Sequence, residues 1–312
     1  MSDTIATRVA YGKTLAELGK INKDIVVLDA DLSKSTNTAT FGKVFPERHF
    51  NCGIAEQNMM GIAAGLAAAG KIPFASTFAV FGAGRAFEII RNSICYPKLN
   101  VKVAVTHSGL TVGEDGATHQ SIEDIALMRS LPNMTVLCPA DGIETEKMIK
   151  AVAEYNGPVY IRLGRPNLPI IMNENYEFEI GKSVQLKDGK DVTIIAMGIM
   201  VAQALKAQEI LANEGISARV INMSSIKPVD EEAIIKAAVE TGALVTAEEH
   251  SIIGGLGSTV ADVLVKNTYA PLEMVGVKDT FGESGTPAAL LEKYGLTYKE
   301  IITAVKQSIT RK

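Results

Sequence analysis

The sequence has 312 residues, of which 47% are hydrophobic and 21% charged, with a formal net charge of −4 at pH 7. A chain of this length exceeds what one hydrophobic core usually accommodates, so we expect two domains. The slightly acidic balance and the lack of a basic face argue against nucleic acid as a partner.

We expect no segment that directs the chain to a membrane or anchors it there. The first twenty residues lack the apolar run of a secretory signal. The most apolar stretch, 59–84, is interrupted by Lys71 and Pro73 and is too short on either side to cross a bilayer. No zinc or disulfide pattern fits the spacing of the three cysteines, Cys52, Cys95 and Cys138. These features predict a cytoplasmic protein with reduced thiols and no membrane partner.

Short β-branched runs alternate with helical patterns along the first half of the chain. The first run, 24–30, is typical of a buried strand, and the small-residue stretch 55–70 predicts a helix that ends at a glycine. Further strands are predicted at 71–77, 101–107, 134–140 and 158–164. Helices are predicted between them, at 81–94, 121–131 and 142–155. This alternation indicates βαβ units and a mostly parallel sheet.

A second alternating region follows an irregular, polar stretch. Strands are predicted at 191–198, 216–223 and 243–249, with helices at 200–215 and 230–242. We therefore predict an α/β fold, in which a parallel-sheet domain at 1–172 is joined by a linker, 173–190, to a smaller α/β domain at 191–312.

The segment 106–120, which we call the histidine loop, holds two of the four histidines and three glycines. It follows a predicted strand, and ligands of open parallel sheets bind at the carboxyl ends of strands. His107 and His119, with Glu114 and Asp115 between them, fit a polar ligand site as well as a structural role. Their spacing matches no compact metal-ligand motif, so we predict no metal site here.

Other candidates lie outside the histidine loop. Glu56 begins an otherwise apolar helix, where it either complements the helix dipole or becomes a buried carboxylate that needs a partner. Phe78 and Phe81 have ordinary core spacing, but the glycines at 82 and 84 leave room beside their rings for a flat ligand.

The last candidates are Arg8, Ser35, Arg162 and Arg165, although single arginines are usually surface residues. Arg162 and Arg165 lie at a predicted strand end, where a phosphate clamp is expected.

Together these stretches resemble the transketolase family of thiamine-diphosphate enzymes, over nearly the whole chain. The resemblance to the pyrimidine-binding domain is carried by GIAEQNMMGIAAGLA (53–67), PFASTFAVF (73–81), THSGLTVGEDGATHQSIEDIALMRSLPNM (106–134) and RLGRPNLP (162–169). The resemblance to the C-terminal domain is carried by TAEEHSIIGGLGS (246–258) and TFGESGTPAALLEKYGL (280–296).

The resemblance implies a role for each candidate. Glu56 would hydrogen-bond N1′ of the cofactor's aminopyrimidine and so promote loss of the thiazolium C2 proton. The implied catalytic residues are Glu56, His107 and His119. The implied cofactor-binding residues are Glu56, Phe78, Phe81 and Asp31. The implied substrate-binding residues are Arg8, Ser35, His107, Asp115, His119 and Arg165.

The resemblance also implies partners. The family holds the diphosphate and its Mg²⁺ on a domain with a GDG motif, which this sequence lacks. We therefore expect the C-terminal subunit of a split transketolase, inactive alone, with the Mg²⁺ ligands on an N-terminal partner chain and an α₂β₂ assembly around a dimer core. Two departures from the family pattern are Gly84, where a third ring is common, and Ser108, where an aspartate is common.

Other interpretations remain open at this point. The corresponding part of 1-deoxyxylulose-5-phosphate synthase shares GIAEQ and PNM, but it usually has an aspartate-arginine pair where this chain has Thr106 and His107. The β subunit of a 2-oxo-acid dehydrogenase shares the two-domain plan without the histidine loop. A regulatory subunit that kept the fold is the non-catalytic alternative.

Overall fold

A computed structural model of the protein describes residues 4–312. The strands in this range are β1 (Thr4–Ala6), β2 (Ile25–Asp29), β3 (His49–Asn51), β4 (Ile72–Ser76), β5 (Lys102–Val105), β6 (Thr135–Leu137), β7 (Val159–Arg162), β8 (Asn167–Pro169), β9 (Val184–Lys187), β10 (Val192–Ala196), β11 (Ala218–Asn222), β12 (Ser225–Lys227), β13 (Leu244–Ser251) and β14 (Leu272–Val277). They form two large sheets and one short ribbon.

The α-helices of the same range are α1 (Thr7–Ile21), α2 (Ser33–Thr36), α3 (Ala39–Val44), α4 (Glu56–Ala68), α5 (Phe87–Ile89), α6 (Asp124–Ser130), α7 (Gly142–Glu154), α8 (Met200–Asn213), α9 (Glu231–Thr241), α10 (Leu256–Asn267), α11 (Pro287–Lys293) and α12 (Tyr298–Thr310). The helix predicted at 81–94 is π-helical over Val80–Arg85 and Ile90–Cys95, on either side of α5. No helix of residues 4–312 is long and apolar enough to cross a bilayer.

The first sheet has the strand order β12-β6-β7-β5-β4-β2-β3, and all its pairs are parallel except β12 with β6. Every residue of β2, β5 and β7 is buried, as expected for strands covered by helices on both faces. The predicted α/β fold with a mostly parallel sheet is confirmed. The carboxyl ends of β2, β4 and β5 lie side by side and carry the segments that form the candidate site.

The second sheet has the order β14-β13-β10-β11-β9, parallel except for β9. The predicted linker, 173–190, is therefore not entirely irregular, because β9 adds an antiparallel edge strand to this sheet. The alternating burial of β9 is that of a strand with one solvated face, and it is too short to stand out in a polar sequence. The domain limits 1–172 and 191–312 stay a prediction.

The two halves share part of one hydrophobic core. Met134 and Cys138 of the first half belong to the same buried cluster as Ile195 and Met223 of the second. The edge strand β12 also comes from the second half, although it pairs with β6 of the first sheet. The two domains are thus joined by packing and by a shared sheet as well as by the chain.

The short ribbon brings the start of the chain to the site. In it, β1 pairs antiparallel with β8, with Thr4 opposite Pro169 and Ala6 opposite Asn167. Arg8 follows β1 by two residues and Arg165 precedes β8 by two residues, so the pairing places them next to each other.

Candidate active site

The histidine loop leaves the carboxyl end of β5, as the sequence predicts, and folds back over the sheet edge. All three of its glycines, Gly109, Gly113 and Gly116, have a positive φ. His107 also has a positive φ, of 57°, which is uncommon for a residue with a side chain. Such a conformation persists only where the surroundings fix it, and it is frequent at functional sites.

The residues predicted to bind the substrate come together in one pocket of about 390 Å³. Phe78 lies in the same wall. The pocket is lined by Arg8, Ser35, Phe78, His107, Asp115, His119 and Arg165. Five separate segments of the first domain therefore converge on one polar cavity.

Two guanidinium groups lie on one side of this pocket. Arg8 donates through Nε to the carbonyl of Arg165 at 3.2 Å and through Nη1 to the carbonyl of Ser35 at 2.7 Å. Burial and the nearby charge of Arg165 lower the pKa of Arg8. Two like charges held this close favour an anionic ligand, because a phosphate would satisfy both.

Two carboxylates of the histidine loop lie close to the guanidinium group of Arg165. Its Nη1 lies 3.3 Å from Oε2 of Glu114 and 3.8 Å from Oδ2 of Asp115, and it also donates to the carbonyl of Val112. The side chains of Arg165, Glu114 and Asp115 are all more than one-third exposed, so these ion pairs are weak. Arg165 is thus oriented toward the pocket and remains accessible to an anion.

Aromatic rings and the two histidines form another part of the site. The rings of Phe78 and His107 stack with centroids 4.0 Å apart. The rings of His119 and Phe81 are nearly perpendicular, with centroids 5.4 Å apart. The Nδ1 atom of His107 shares a hydrogen bond with the Thr106 hydroxyl at 2.9 Å. The Nδ1 atom of His119 does the same with Thr118 at 3.0 Å. Each ring thus keeps its Nε2 atom free of these bonds.

His107 stays neutral in the folded protein over the physiological pH range. Burial, followed by the charges of Arg8, Arg165 and His119, lowers its pKa from 6.5 to about 3. A neutral imidazole can donate or accept a hydrogen bond, which suits sugar hydroxyl and carbonyl groups better than a second permanent charge would.

This lowered pKa predicts a pH-dependent stability. Below pH 6.5 the unfolded chain binds a proton at His107 that the folded chain does not, so stability falls as the pH falls toward 3. We expect the titration of His107 to lower the free energy of unfolding by about 2 kcal/mol at pH 5 relative to pH 8. His107→Asn removes it, and asparagine tolerates the left-handed backbone.

Urea unfolding of the wild type and His107→Asn at pH 5 and pH 8 measures this difference. The wild type should lose more stability than the variant on going to pH 5. Equal losses would show that His107 titrates normally in the folded chain.

Glu56 is the first residue of α4, and its side chain is 2% exposed. The partner that a buried carboxylate requires is Arg85, whose Nη1 lies 2.9 Å from Oε2 of Glu56. The guanidinium of Arg85 also lies over the Phe81 ring, 4.8 Å from its centroid. Glu56, Arg85 and Phe81 therefore form one group. Arg85 was not predicted from the sequence, because it lies 29 positions from Glu56 and only the packing of the two segments brings them together.

Phe78 and Phe81 can hold a flat ring. Their rings are nearly parallel, with an interplanar angle of 13° and centroids 6.2 Å apart. A Cβ added at Gly84 would meet nothing within 4 Å, so the space around this glycine is open. The departure at Gly84 thus leaves open space three residues after Phe81.

Asp31 lies apart from the pocket. It is exposed, has a positive φ of 63°, and its amide donates to Oδ1 of Asn51 at 3.1 Å. The neighbouring Asp29 is the buried carboxylate, and it accepts hydrogen bonds from Thr36 at 2.7 Å and Thr38 at 2.9 Å. Asp29 therefore fixes the segment that carries Ser35, while cofactor binding by Asp31 stays a prediction.

Two further candidates have structural contacts. Arg162 is buried and pairs with Asp124, with Nε 2.9 Å from Oδ2, so it does not line the pocket as a phosphate clamp would. Ser108 is buried, and its hydroxyl donates to the carbonyl of Leu163 at 2.9 Å. The departure at Ser108 therefore lies behind the pocket wall.

Among residues 4–312, no three or more His, Cys, Asp or Glu side chains are grouped so that they could hold a metal ion.

The fold and pocket agree with comparisons to known proteins. Residues 3–170 match the transketolase pyrimidine binding domain, and residues 181–301 match the transketolase C-terminal domain. A protein described as a transketolase C-terminal section from Methanocaldococcus jannaschii is 53% identical over 307 residues, which cover 97% of this chain and 96% of that protein. A 6-deoxy-6-sulfo-D-fructose transketolase subunit from a Clostridium strain is 46% identical over 305 residues, covering 98% of this chain and 95% of that protein.

A solved structure is also similar to this chain over nearly its whole length. It is described as a split gene transketolase, inactive beta4 tetramer, and is 62% identical to this chain with a TM-score of 0.93. The match covers 98% of this chain and 99% of the other. The family predicted from the sequence is confirmed: the chain belongs to the transketolase family of thiamine-diphosphate enzymes and comprises its pyrimidine-binding and C-terminal domains.

Proposed function

We propose that the chain is the C-terminal subunit of a two-chain transketolase, which moves a two-carbon ketol unit from a ketose phosphate to an aldose phosphate. The observation that carries this proposal is the single pocket that brings together two arginines, two histidines and an aspartate. Such a pocket combines an anion site with hydrogen-bonding groups for a polyol chain, which is what both sugar phosphates present.

The pocket residues divide into two groups. Arg8, Ser35 and Arg165 bind the phosphate of the substrate, since both guanidinium groups lie on that side. His107, Asp115 and His119 bind the hydroxyl and carbonyl groups and orient the reacting end of the sugar. His107 remains a hydrogen-bonding group at neutral pH because its pKa is about 3.

The residues around Glu56 fit thiamine diphosphate. The nearly parallel rings of Phe78 and Phe81, the open space at Gly84 and the buried carboxylate of Glu56 suit a flat, nitrogen-bearing ring. When bound, this cofactor supplies the stabilised carbanion that ketol transfer needs. Glu56 would hold a proton at the pyrimidine N1′, and the two phenylalanines would bind the ring.

We further propose an N-terminal partner chain that binds the diphosphate and Mg²⁺, in an α₂β₂ complex. A relative consisting of the same two domains is described as an inactive beta4 tetramer. By analogy, this chain would assemble and remain inactive until its partner completes the site. The three free cysteines, Cys52, Cys95 and Cys138, suit the reducing cytoplasm that we propose as its location.

Mixing the chain with a GDG-bearing partner subunit tests the proposal. The assay contains thiamine diphosphate, Mg²⁺, xylulose 5-phosphate and ribose 5-phosphate, and we expect ketol transfer in the mixture and none with either chain alone. A sulfonated ketose is included as a second donor because one relative acts on such a sugar and a sulfonate can also bind two guanidinium groups. A stable complex with neither transfer would overturn the proposal.

A further inference from the structure

The pocket is built from the first domain, yet the histidine loop rests on the second. All residues that line the pocket lie between positions 8 and 165. The back of the loop instead contacts β13 and the segment 282–287, which precedes and begins α11. The second domain thus touches the substrate-binding loop from behind without touching the pocket.

The left-handed glycines of the loop mark these contacts. A Cβ added at Gly109 would overlap the carboxyl group of Glu249 on β13. One added at Gly113 would lie 3.3 Å from Pro287, and one added at Gly116 would lie 3.4 Å from the amide nitrogen of Ser284. The glycines therefore allow both the turns of the loop and the close approach of the second domain.

Glu249 makes the most buried of these contacts. Its side chain is 4% exposed, and its Oε1 accepts the backbone N–H of Thr111 at 2.6 Å. Its own carbonyl accepts a hydrogen bond from Arg162 at 2.9 Å, which fixes β13 against the first sheet. In this buried setting the hydrogen bond is costly to break, because the N–H of Thr111 would lose its partner.

The segment 282–287 holds the other end of the loop. Ser284 donates through its hydroxyl to the carbonyl of Glu114 at 2.6 Å. Gln120 donates through Nε2 to the carbonyl of Glu283 at 2.9 Å. Glu114 precedes Asp115 and Gln120 follows His119, so both bonds act one residue away from a pocket side chain.

We propose that Glu249 and Ser284 are positioning residues for ketol transfer, through which the C-terminal domain holds the histidine loop in the shape that presents His107, Asp115 and His119. The inference rests on the proposed function. It gives the C-terminal domain a task in the reaction although none of its residues lines the pocket.

Hydrogen–deuterium exchange of the full chain tests the contact without any activity. Ser284 is exposed, so Ser284→Ala keeps the fold, and we expect amides of 109–118 to exchange about two- to tenfold faster. Glu249→Ala should have a larger effect, and Glu249→Gln should largely restore protection because its amide oxygen can still accept from Thr111. Thr280→Ala is the matched control, since its exposed hydroxyl bonds only within its own segment.

Kinetics of the two-chain complex tests the consequence. Ser284→Ala should raise KM for the ketose phosphate about two- to tenfold with an unchanged unfolding midpoint. Glu249→Ala should lower kcat/KM about 10- to 100-fold, as expected for a small displacement of binding groups, and Glu249→Gln should recover most of it.

The two proposals fail in different ways. Loss of ketol transfer in the wild-type complex would overturn the proposed function. Unchanged exchange in 109–118 and unchanged KM for both Ser284→Ala and Glu249→Ala would overturn the positioning role even in a fully active complex.

Discussion

Glu56→Gln should lower ketol transfer by the two-chain complex about 10²- to 10⁴-fold. The amide has the shape of the carboxyl group but cannot hold and release a proton at the pyrimidine N1′. Because the side chain of Glu56 is 2% exposed and lies 2.9 Å from Arg85, bulk water has little access to take over its role. Initial rates at saturating thiamine diphosphate, with equal amounts of complex, measure the effect.

Glu209→Gln is the matched control for this substitution. Glu209 is an exposed residue of α8 in the second domain, so the same chemical change there should leave the rate unaltered. Both variants should unfold at the wild-type temperature within a few degrees. Near-normal transfer by Glu56→Gln would remove Glu56 from the proposed proton-holding role and would leave its ion pair with Arg85 as its main function.

Arg162→Met should lower the free energy of unfolding by about 3–5 kcal/mol. The substitution keeps the volume of the side chain but leaves Asp124, which is fully buried, with only the hydroxyl of Tyr160 as a partner. It also removes the hydrogen bond from Arg162 to the carbonyl of Glu249, which links the two domains. Urea unfolding of the full chain followed by circular dichroism measures the loss.

Lys306→Met provides the comparison for a surface ion pair. Lys306 lies 2.6 Å from Glu214, but the two side chains are 49% and 42% exposed. We expect a change of no more than about 1 kcal/mol. Equal effects of the two substitutions would mean that burial of the Arg162–Asp124 pair contributes little to the stability of the protein.

The strands that could be predicted from the sequence are those buried on both faces. Runs such as 24–30 and 101–107 contain consecutive β-branched residues, because helices cover them from both sides. β9 and β12 have only four and three residues and include polar side chains. Such short edge strands form because a neighbouring strand is present, and nothing local in their sequence indicates that neighbour.

Most side chains of the candidate site could be predicted from the sequence, but the contacts between them could not. Arg8 and Arg165 are 157 positions apart, and their contact follows from the pairing of β1 with β8. Thr111 and Glu249 lie 138 positions apart, and their hydrogen bond likewise depends on contact between distant segments. The resemblance to a family indicated which side chains matter, whereas the contacts that hold them depend on packing between distant segments.

The strand β12 limits where a protein of this kind can be cut. Its residues belong to the second half of the chain, yet they close the β6 edge of the first sheet, with Ser225 opposite Leu137. A fragment that ended at the linker would carry the exposed N–H and C=O groups of β6, and such an open edge invites pairing with other chains. A break between the two domains described above would therefore leave an aggregation-prone half.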